Sequence, residues 1–268
     1  YKKFFFIIDR EKKNFLCKKN FGNSVNSLAC KTIPEIFETI NDENSFGVVP
    51  LENSTEGAVN LTLDALQTTE LKICGELEMP IKHSLLASQL NLEKIKSVYG
   101  HQQSLAQCKS KLSNLLPKVK IIPVESSGLA LKKAKQASSN ACIAHESFAS
   151  GHKLKVCRRN MEDEKNNTTR FVILGTNSPL KSDFDKTSII ISLENKPGAL
   201  SKVLKIFELS RVNLSYIQSR PSKKDKWSYS FFLDFEGHSE TIKIKNLLSQ
   251  LEKNSISLKL LGSYPKAI

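Results

Sequence analysis

NNTTRFVIL, at Asn166–Leu174, joins a polar start to a short apolar run. The run Phe171–Leu174 is typical of a buried strand. The two threonines and Arg170 directly before it bring hydroxyls and a guanidinium to the strand end, and such groups can bind an anionic substrate and pass a proton to it. Threonines at a loop exit also favour strand structure on their own account. The segment therefore predicts a buried strand and, at its start, a candidate polar site.

The chain before this strand predicts an α/β domain. Residues 1 to about 178 alternate short apolar runs with helical patterns. The predicted strands are Phe4–Ile8, Phe46–Val49, Ile81–Ala87, Ser97–Tyr99, Lys120–Val124 and Ala141–Ala144. The predicted helices are Ile33–Ile40, Asn60–Thr68, Leu105–Leu115 and Gly128–Ala137. A second polar segment, PLENSTEG at Pro50–Gly57, follows a predicted strand and precedes a predicted helix.

A smaller unit follows a turn-rich linker at Asn177–Asp183. Its predicted elements are a strand at Thr187–Leu193, a helix after the turn Asn195–Gly198, strands at Val212–Ser219 and Trp227–Phe235, a helix that carries Ile242 and Leu251 on one face, and a strand at Ile256–Leu261. The order βαββαβ is ferredoxin-like.

Composition weakens several classes of function. No stretch approaches the roughly 18 uninterrupted apolar residues of a membrane span, and the opening YKKFFFII is too short for a secretory signal. The net charge of +13 is mostly Lys spread along the chain without a zinc-finger or RNP-like motif, so we expect no nucleic-acid partner. Six singly scattered cysteines predict reduced thiols in a cytoplasmic protein without a metal site.

Taken together, these segments resemble prephenate dehydratase, and the turn Lys196–Leu200 resembles the ligand-binding entrance of an ACT domain, a small amino-acid-sensing module. The resemblance implies a two-lobed catalytic domain like a type II periplasmic binding protein at residues 1–178, with lobes at about 1–80 plus 165–178 and at about 81–164. An ACT domain would occupy 187–268. It also implies a homodimer or higher oligomer.

The resemblance also implies the site residues. PLENSTEG matches the family's Pro-Ile-Glu-Asn-Ser segment, and Asn167–Phe171 matches its Thr-Arg-Phe signature. Ile81–Leu86 and Val98–Cys108 match two further family segments. The implied catalytic residues are Thr169, Glu52, Asn53 and Gln107, and the implied substrate-binding residues are Arg170, Ser54, Glu125 and His101. Taken singly, His101 is more often a packed or surface histidine than a functional one.

An effector site is implied in the ACT domain. Two segments match the family there, and the implied residues are Gly198, Ala199, Leu200, Gln218, Ser219, Arg220 and Pro221. The effector would be L-phenylalanine. Because Gln218 replaces the family's Glu, one charge that could hold an amino acid is lost, and we expect weak or absent feedback inhibition.

The implied reaction converts prephenate to phenylpyruvate in phenylalanine biosynthesis, without a metal or organic cofactor, because aromatisation of the ring supplies the driving force. Thr169 would assist departure of the ring hydroxyl, Asn53 and Gln107 would orient the substrate, and Arg170 or a nearby Lys would offset carboxylate charge. Glu52 beside an anionic ligand would have a raised pKa. We expect Asn53 and Thr169 to meet across a crevice between the lobes.

Two departures from the family leave alternatives open. The segment Ile8–Asn14 stands where the family has a Gly-rich loop, and Gly100 and Gln102 replace a Ser and a Pro. A catalytically weakened relative that binds phenylalanine is therefore one alternative. A periplasmic-type solute-binding protein is another, although the C-terminal βαββαβ unit disfavours it.

Overall fold

The computed structural model describes residues 2–6, 26–221 and 229–267. It divides into two compact units, residues 1–79 with 169–268, and residues 80–168. The predicted loop Ile8–Asn14 and the start of the strand predicted at Trp227 lie outside the described residues. Within the described ranges, no helix has the length and apolar character needed to cross a membrane.

The described part of the chain up to residue 80 supplies most of one mixed sheet and two helices packed on it. Its elements are β1 (Lys3–Phe6), β2 (Asn26–Ala29), α1 (Ile33–Thr39), β3 (Ser45–Asn53), β4 (Gly57–Ala58), α2 (Asn60–Thr68) and β5 (Lys72–Pro80). The Thr32 hydroxyl accepts from Glu35 N at 3.3 Å and so caps α1. The strand β5 was not predicted, because Gly75, Glu76 and Glu78 interrupt its apolar pattern.

The second unit has its own sheet, in the order β10-β6-β9-β7-β8 among the described strands. Its elements are β6 (Ser84–Ala87), β7 (Ser97–His101), α3 (Gln102–Ala106), α4 (Lys109–Leu115), β8 (Lys120–Val124), α5 (Ser127–Gln136), β9 (Asn140–Ala144), α6 (Phe148–Gly151) and β10 (Lys155–Arg158). The single helix predicted at Leu105–Leu115 is wrong, because α3 and α4 are separate. The carboxylate of Asp163 accepts from Ser110 N and Lys111 N at 2.9 and 3.0 Å and thereby caps α4 as a new helix.

The remainder of the chain returns to the first unit. Its elements are β11 (Thr168–Gly175), β12 (Asp185–Leu193), α7 (Ala199–Leu209), β13 (Leu214–Pro221), β14 (Tyr229–Glu236), α8 (Ile242–Lys253) and β15 (Ser257–Pro265). After β11 the order is βαββαβ, and the antiparallel sheet runs β13-β14-β12-β15. The predicted ferredoxin-like arrangement is confirmed.

The described residues of the first unit form two sheets with a common core. The first sheet has the order β2-β1-β3-β11-β5, with β11 antiparallel to β3. Val49 and Val172 from this sheet pack with Ile190, Phe232 and Tyr264 from the C-terminal sheet. Burial of apolar surface therefore holds the C-terminal sheet against the strands that carry the candidate site.

Gly262 lets the backbone of β15 approach β5 closely. Its φ is +157°, and an added Cβ would lie 2.2 Å from the backbone oxygen of Ile73. Since no side chain fits in that space, only glycine permits the contact.

Candidate functional site

Asn53 and Thr169 form the centre of the candidate site. They are paired residues of β3 and β11, and Asn53 Nδ2 lies 2.9 Å from Thr169 Oγ1. Asn53 Oδ1 accepts from Thr55 N and Glu56 N at 3.0 and 3.1 Å, which fixes the orientation of the amide. The amide nitrogen can only donate, so Thr169 accepts in this bond and its own hydrogen is available for another acceptor.

The pair does not meet in the way that was expected. Asn53 and Thr169 were expected to approach each other across a crevice between lobes. They lie instead on neighbouring strands of one sheet, where the ladder of β3 and β11 sets their separation. The fold itself thus fixes this pair before any ligand binds.

A register shift in the same ladder redirects the neighbouring side chains. Phe171 pairs with Pro50 but Arg170 pairs with Glu52, so Leu51 is an extra residue in β3. Such a bulge locally re-aims the side chains of a strand. Because successive residues of a strand face opposite sides, Arg170 points away from the side of Thr169 and toward the C-terminal sheet.

The guanidinium of Arg170 is buried among acidic and phenolic groups. Nε donates to Glu76 Oε2 at 2.7 Å, Nη1 lies 2.6 Å from Asp234 Oδ2, and Nη2 donates to the Tyr264 hydroxyl at 3.1 Å. Burial alone would lower the pKa of Arg170, but Asp234, Tyr264 and Glu76 outweigh it and raise the pKa. These contacts give no support to the predicted role of Arg170 as a substrate ligand.

Glu76 and Lys186 complete this cluster. Lys186 Nζ lies 2.8 and 2.9 Å from the two carboxylate oxygens of Glu76. Burial works to raise the pKa of Glu76, but the charges of Arg170 and Lys186 outweigh that cost and lower it. These partners could not be predicted from the sequence, because a buried carboxylate in a strand cannot be distinguished there from an exposed charge that interrupts an apolar pattern.

Glu52 lies beside the cluster. It is half-buried, and burial is the main cause of its raised pKa. Arg170 opposes this shift and Asp234 adds to it. The direction is the one expected for Glu52, and its causes here are desolvation and the neighbouring carboxylate of Asp234.

In the second unit, Gln107 is paired with a histidine. Its Oε1 lies 2.9 Å from His83 Nε2. The carboxylate of Glu162 accepts from His83 N at 2.9 Å and from Lys82 Nζ at 3.1 Å. Gln107 sits in the break between α3 and α4, so its side chain is directed by the end of a helix instead of a helix face.

The other predicted substrate contacts lie at helix starts or in exposed turns. His101 Nδ1 accepts from Gln103 N at 3.4 Å and caps α3. Glu125 is exposed and directly precedes Ser126, which caps α5. Ser54 is exposed in the turn after β3. The structure gives these three residues no ligand-like arrangement of their own.

The predicted effector segment borders a small cavity in the C-terminal sheet. The cavity has a volume of about 140 Å³, and its lining is Leu193, Glu194, Asn195, Lys196, Ala199, Leu200, Tyr229 and Phe231. Gly198, with a φ of +81°, starts α7 at its edge. The lining combines apolar side chains with the charged Glu194 and Lys196.

The second effector segment is divided between the two faces of its sheet. Ser219 and Pro221 pair with Phe231 and Tyr229, which line the cavity. Gln218 and Arg220 alternate with them and so belong to the opposite face. There Arg220 Nη2 lies 2.7 Å from the carboxylate of Asp64 on α2.

No cluster of metal-ligating residues accompanies these sites in the described ranges, and three of the described thiols are poor nucleophiles. No three His, Cys, Asp or Glu side chains gather there in a way that would hold a metal ion. Burial raises the pKa of Cys74 to about 11 and the pKa values of Cys108 and Cys142 to about 12. At neutral pH these thiols are protonated and therefore poor nucleophiles.

Two family models match the chain. Prephenate dehydratase matches residues 13–179, and the ACT domain matches residues 187–253. The resemblance found in the sequence is thereby confirmed.

Individual relatives agree with these family matches. A bifunctional chorismate mutase/prephenate dehydratase of Pseudomonas aeruginosa is 43% identical over 93% of this chain and 69% of its own length. A prephenate dehydratase of Methanocaldococcus jannaschii is 41% identical over 88% of this chain and 86% of its own. The crystal structure of a prephenate dehydratase from Arthrobacter aurescens in complex with L-Phe is 28% identical, with a TM-score of 0.87 over 98% of this chain and 89% of that one. The predicted fold class is confirmed.

Proposed function

Since this chain belongs to the prephenate dehydratase family, we propose that it catalyses the decarboxylative dehydration of prephenate to phenylpyruvate. The C–C bond to the ring carboxylate breaks, and its electron pair moves into the ring. The ring C–O bond breaks toward oxygen, and the departing hydroxide takes up a proton. The products are phenylpyruvate, carbon dioxide and water. No cofactor is required, because aromatisation drives the reaction.

The observation that carries the proposal is the direction of the hydrogen bond between Asn53 and Thr169. Because Asn53 donates, the hydrogen of Thr169 is directed to another acceptor, and the departing hydroxyl is such an acceptor. A threonine hydroxyl is a weak acid, so its main contribution is a preorganised dipole at the oxygen that gains charge. Gln107 is proposed, by family resemblance, as a further substrate contact.

The proposal includes the surroundings of the reaction. Residues 1–178 form the catalytic domain, and residues 187–268 form an ACT domain that binds L-phenylalanine in the cavity beside α7. The active form is a homodimer or higher oligomer in the cytoplasm, where reduced thiols persist.

The direct test is an absorbance assay of phenylpyruvate formed from prephenate by the purified chain. Turnover on the order of 1 s⁻¹ or faster supports the proposal. Phenylalanine binding without turnover would instead favour the weakened relative that the sequence left open.

Asn53→Asp tests the direction of the hydrogen bond. An aspartate still accepts from Thr55 N and Glu56 N, but its second oxygen accepts from Thr169 where the amide donated. The threonine hydrogen is then drawn to the aspartate, so we expect kcat to fall about 10- to 100-fold with little change in melting temperature. Asn44→Asp, an exposed change of the same charge in the same unit, is the control. Unchanged kcat in Asn53→Asp would contradict the assignment.

Phenylalanine should inhibit this chain only weakly. Position 218 carries a neutral amide, and Gln218→Glu should strengthen the inhibition. Since Gln218 belongs to the face away from the cavity, a stronger inhibition in this variant would act through the sheet and not through a direct contact with a ligand in the cavity. The measurement is the initial rate against phenylalanine concentration, and full inhibition of the unmodified chain at micromolar phenylalanine would contradict the prediction.

A further inference from the structure

The cluster around Arg170 joins two sheets through buried charges. Arg170 and Glu76 belong to β11 and β5 of the first sheet, whereas Asp234 and Tyr264 belong to β14 and β15 of the C-terminal sheet. None of the four residues is more than 9% exposed. The guanidinium thus bridges both sheets at a point where water is largely excluded.

Each anion in the cluster has a second partner. Lys186 of β12 binds Glu76, and the Ser188 hydroxyl donates to Asp234 Oδ1 at 2.6 Å. The positive charges of Arg170 and Lys186 balance the negative charges of Glu76 and Asp234. A charge-balanced, buried cluster resists rearrangement, because moving one member leaves a buried charge without its partner.

The central residue of this cluster, Arg170, belongs to β11, the strand that also carries the Thr169 hydroxyl. Thr169 and Arg170 are consecutive residues of β11 that face opposite sides of the sheet. One face of the strand is fixed by Asn53 and the other by the cluster. The bulge at Leu51 interrupts the regular ladder at this point, so side-chain contacts carry more of the positioning there.

We infer that Arg170 is a positioning residue for the proposed reaction: its contacts with Glu76 and Asp234 hold β11 so that Thr169 Oγ1 is aimed at the departing hydroxyl. The inference rests on the proposed function and assigns Arg170 a role in kcat instead of in substrate binding. It also makes the C-terminal sheet part of the catalytic framework, because Asp234 belongs to that sheet.

Asp234→Asn tests the inference with a change that keeps side-chain shape and removes the charge opposite Arg170. We expect kcat to fall about 10-fold while KM stays within about twofold, since a small displacement of a catalytic group lowers the rate more than it lowers binding. Arg170→Lys keeps the charge but cannot bridge both carboxylates, so it should lower kcat similarly.

Asp64→Asn is the matched control. The Asp64–Arg220 pair also joins the C-terminal sheet to the rest of the first unit. Asp64, however, belongs to α2 and does not lie beside Thr169. We expect kcat and KM of this variant to stay within about twofold, although both variants can lower the melting temperature. Unchanged kcat in Asp234→Asn would overturn the inference and leave the cluster a purely structural feature. A raised KM with unchanged kcat would also overturn it.

Hydrogen exchange separates this inference from the proposed function. If the unmodified chain does not turn over prephenate, the proposed function fails, but the exchange rate of the segment 168–175 still reports how firmly β11 is held. Faster exchange there in Asp234→Asn, and not in Asp64→Asn, supports the positioning role. Equal exchange in both variants overturns it.

Discussion

Thr169→Ala should lower kcat for prephenate by about 100-fold or more. The hydroxyl accepts from Asn53 and presents its hydrogen to the departing oxygen, so its removal takes away a dipole at the atom that gains charge. A 100-fold loss corresponds to about 2.7 kcal/mol of transition-state stabilisation. KM should change little, because the bond strengthens only as the C–O bond breaks.

Two other substitutions at this position separate the hydroxyl from the shape of the side chain. Thr169→Val keeps the branched shape without the oxygen and should resemble Thr169→Ala. Thr169→Ser keeps the hydroxyl and should stay within about tenfold of the unmodified chain. A valine variant with normal kcat would remove the hydroxyl from the mechanism.

Arg170→Met should produce the largest loss of stability, roughly 3–5 kcal/mol. It leaves Asp234 buried without a cation, whereas Glu76 keeps Lys186. Denaturant unfolding, monitored in both units, measures the loss. Lys205→Met is the control, because it breaks only the exposed Lys205–Glu208 pair of α7 and should cost less than about 1 kcal/mol. A loss below that level in Arg170→Met would contradict the role of the buried cluster.

The loss of folding stability in Arg170→Met should depend on pH in a defined direction. The pKa of Glu76 is lower in the folded protein than in the unfolded chain. The ionised carboxylate therefore contributes its full stabilisation at pH values above the pKa that Glu76 has in the unfolded chain. That contribution disappears as the pH falls through the lower, folded-state pKa. The stability difference between the unmodified chain and Arg170→Met should therefore narrow in acid and be fully present at neutral pH.

Local patterns were sufficient to predict much of this fold. The apolar spacing in the C-terminal segment indicated both helices and the order βαββαβ, because each amphipathic element there buries one face on the same sheet. The polar segments around Asn53 and Thr169 were likewise visible, since each sits at the end of an apolar strand. The ladder that pairs these two strands joins positions far apart in the chain, so the resemblance, and not the pattern, connected them.

The buried cluster could not be predicted in the same way. Glu76 looks like a strand-breaking charge until Arg170 is placed beside it, and 94 positions separate the two. The bulge at Leu51 adds a second difficulty, because it decides which face Glu52 occupies. Sequence adjacency therefore grouped Thr169 with Arg170 and Glu52 with Asn53, although each pair is divided between opposite faces.

The buried, protonated thiols can report how often the protein opens locally. An alkylating reagent attacks the thiolate, so the fully buried Cys108 and Cys142 react only when the surrounding segment opens to water, whereas the partly exposed Cys74 reacts slowly because its raised pKa keeps it protonated. Cys74 belongs to the unit with the C-terminal sheet and the other two belong to residues 80–168. Mass-resolved labelling of Cys108 and Cys142 can thus time the opening of the unit formed by residues 80–168 without any introduced probe.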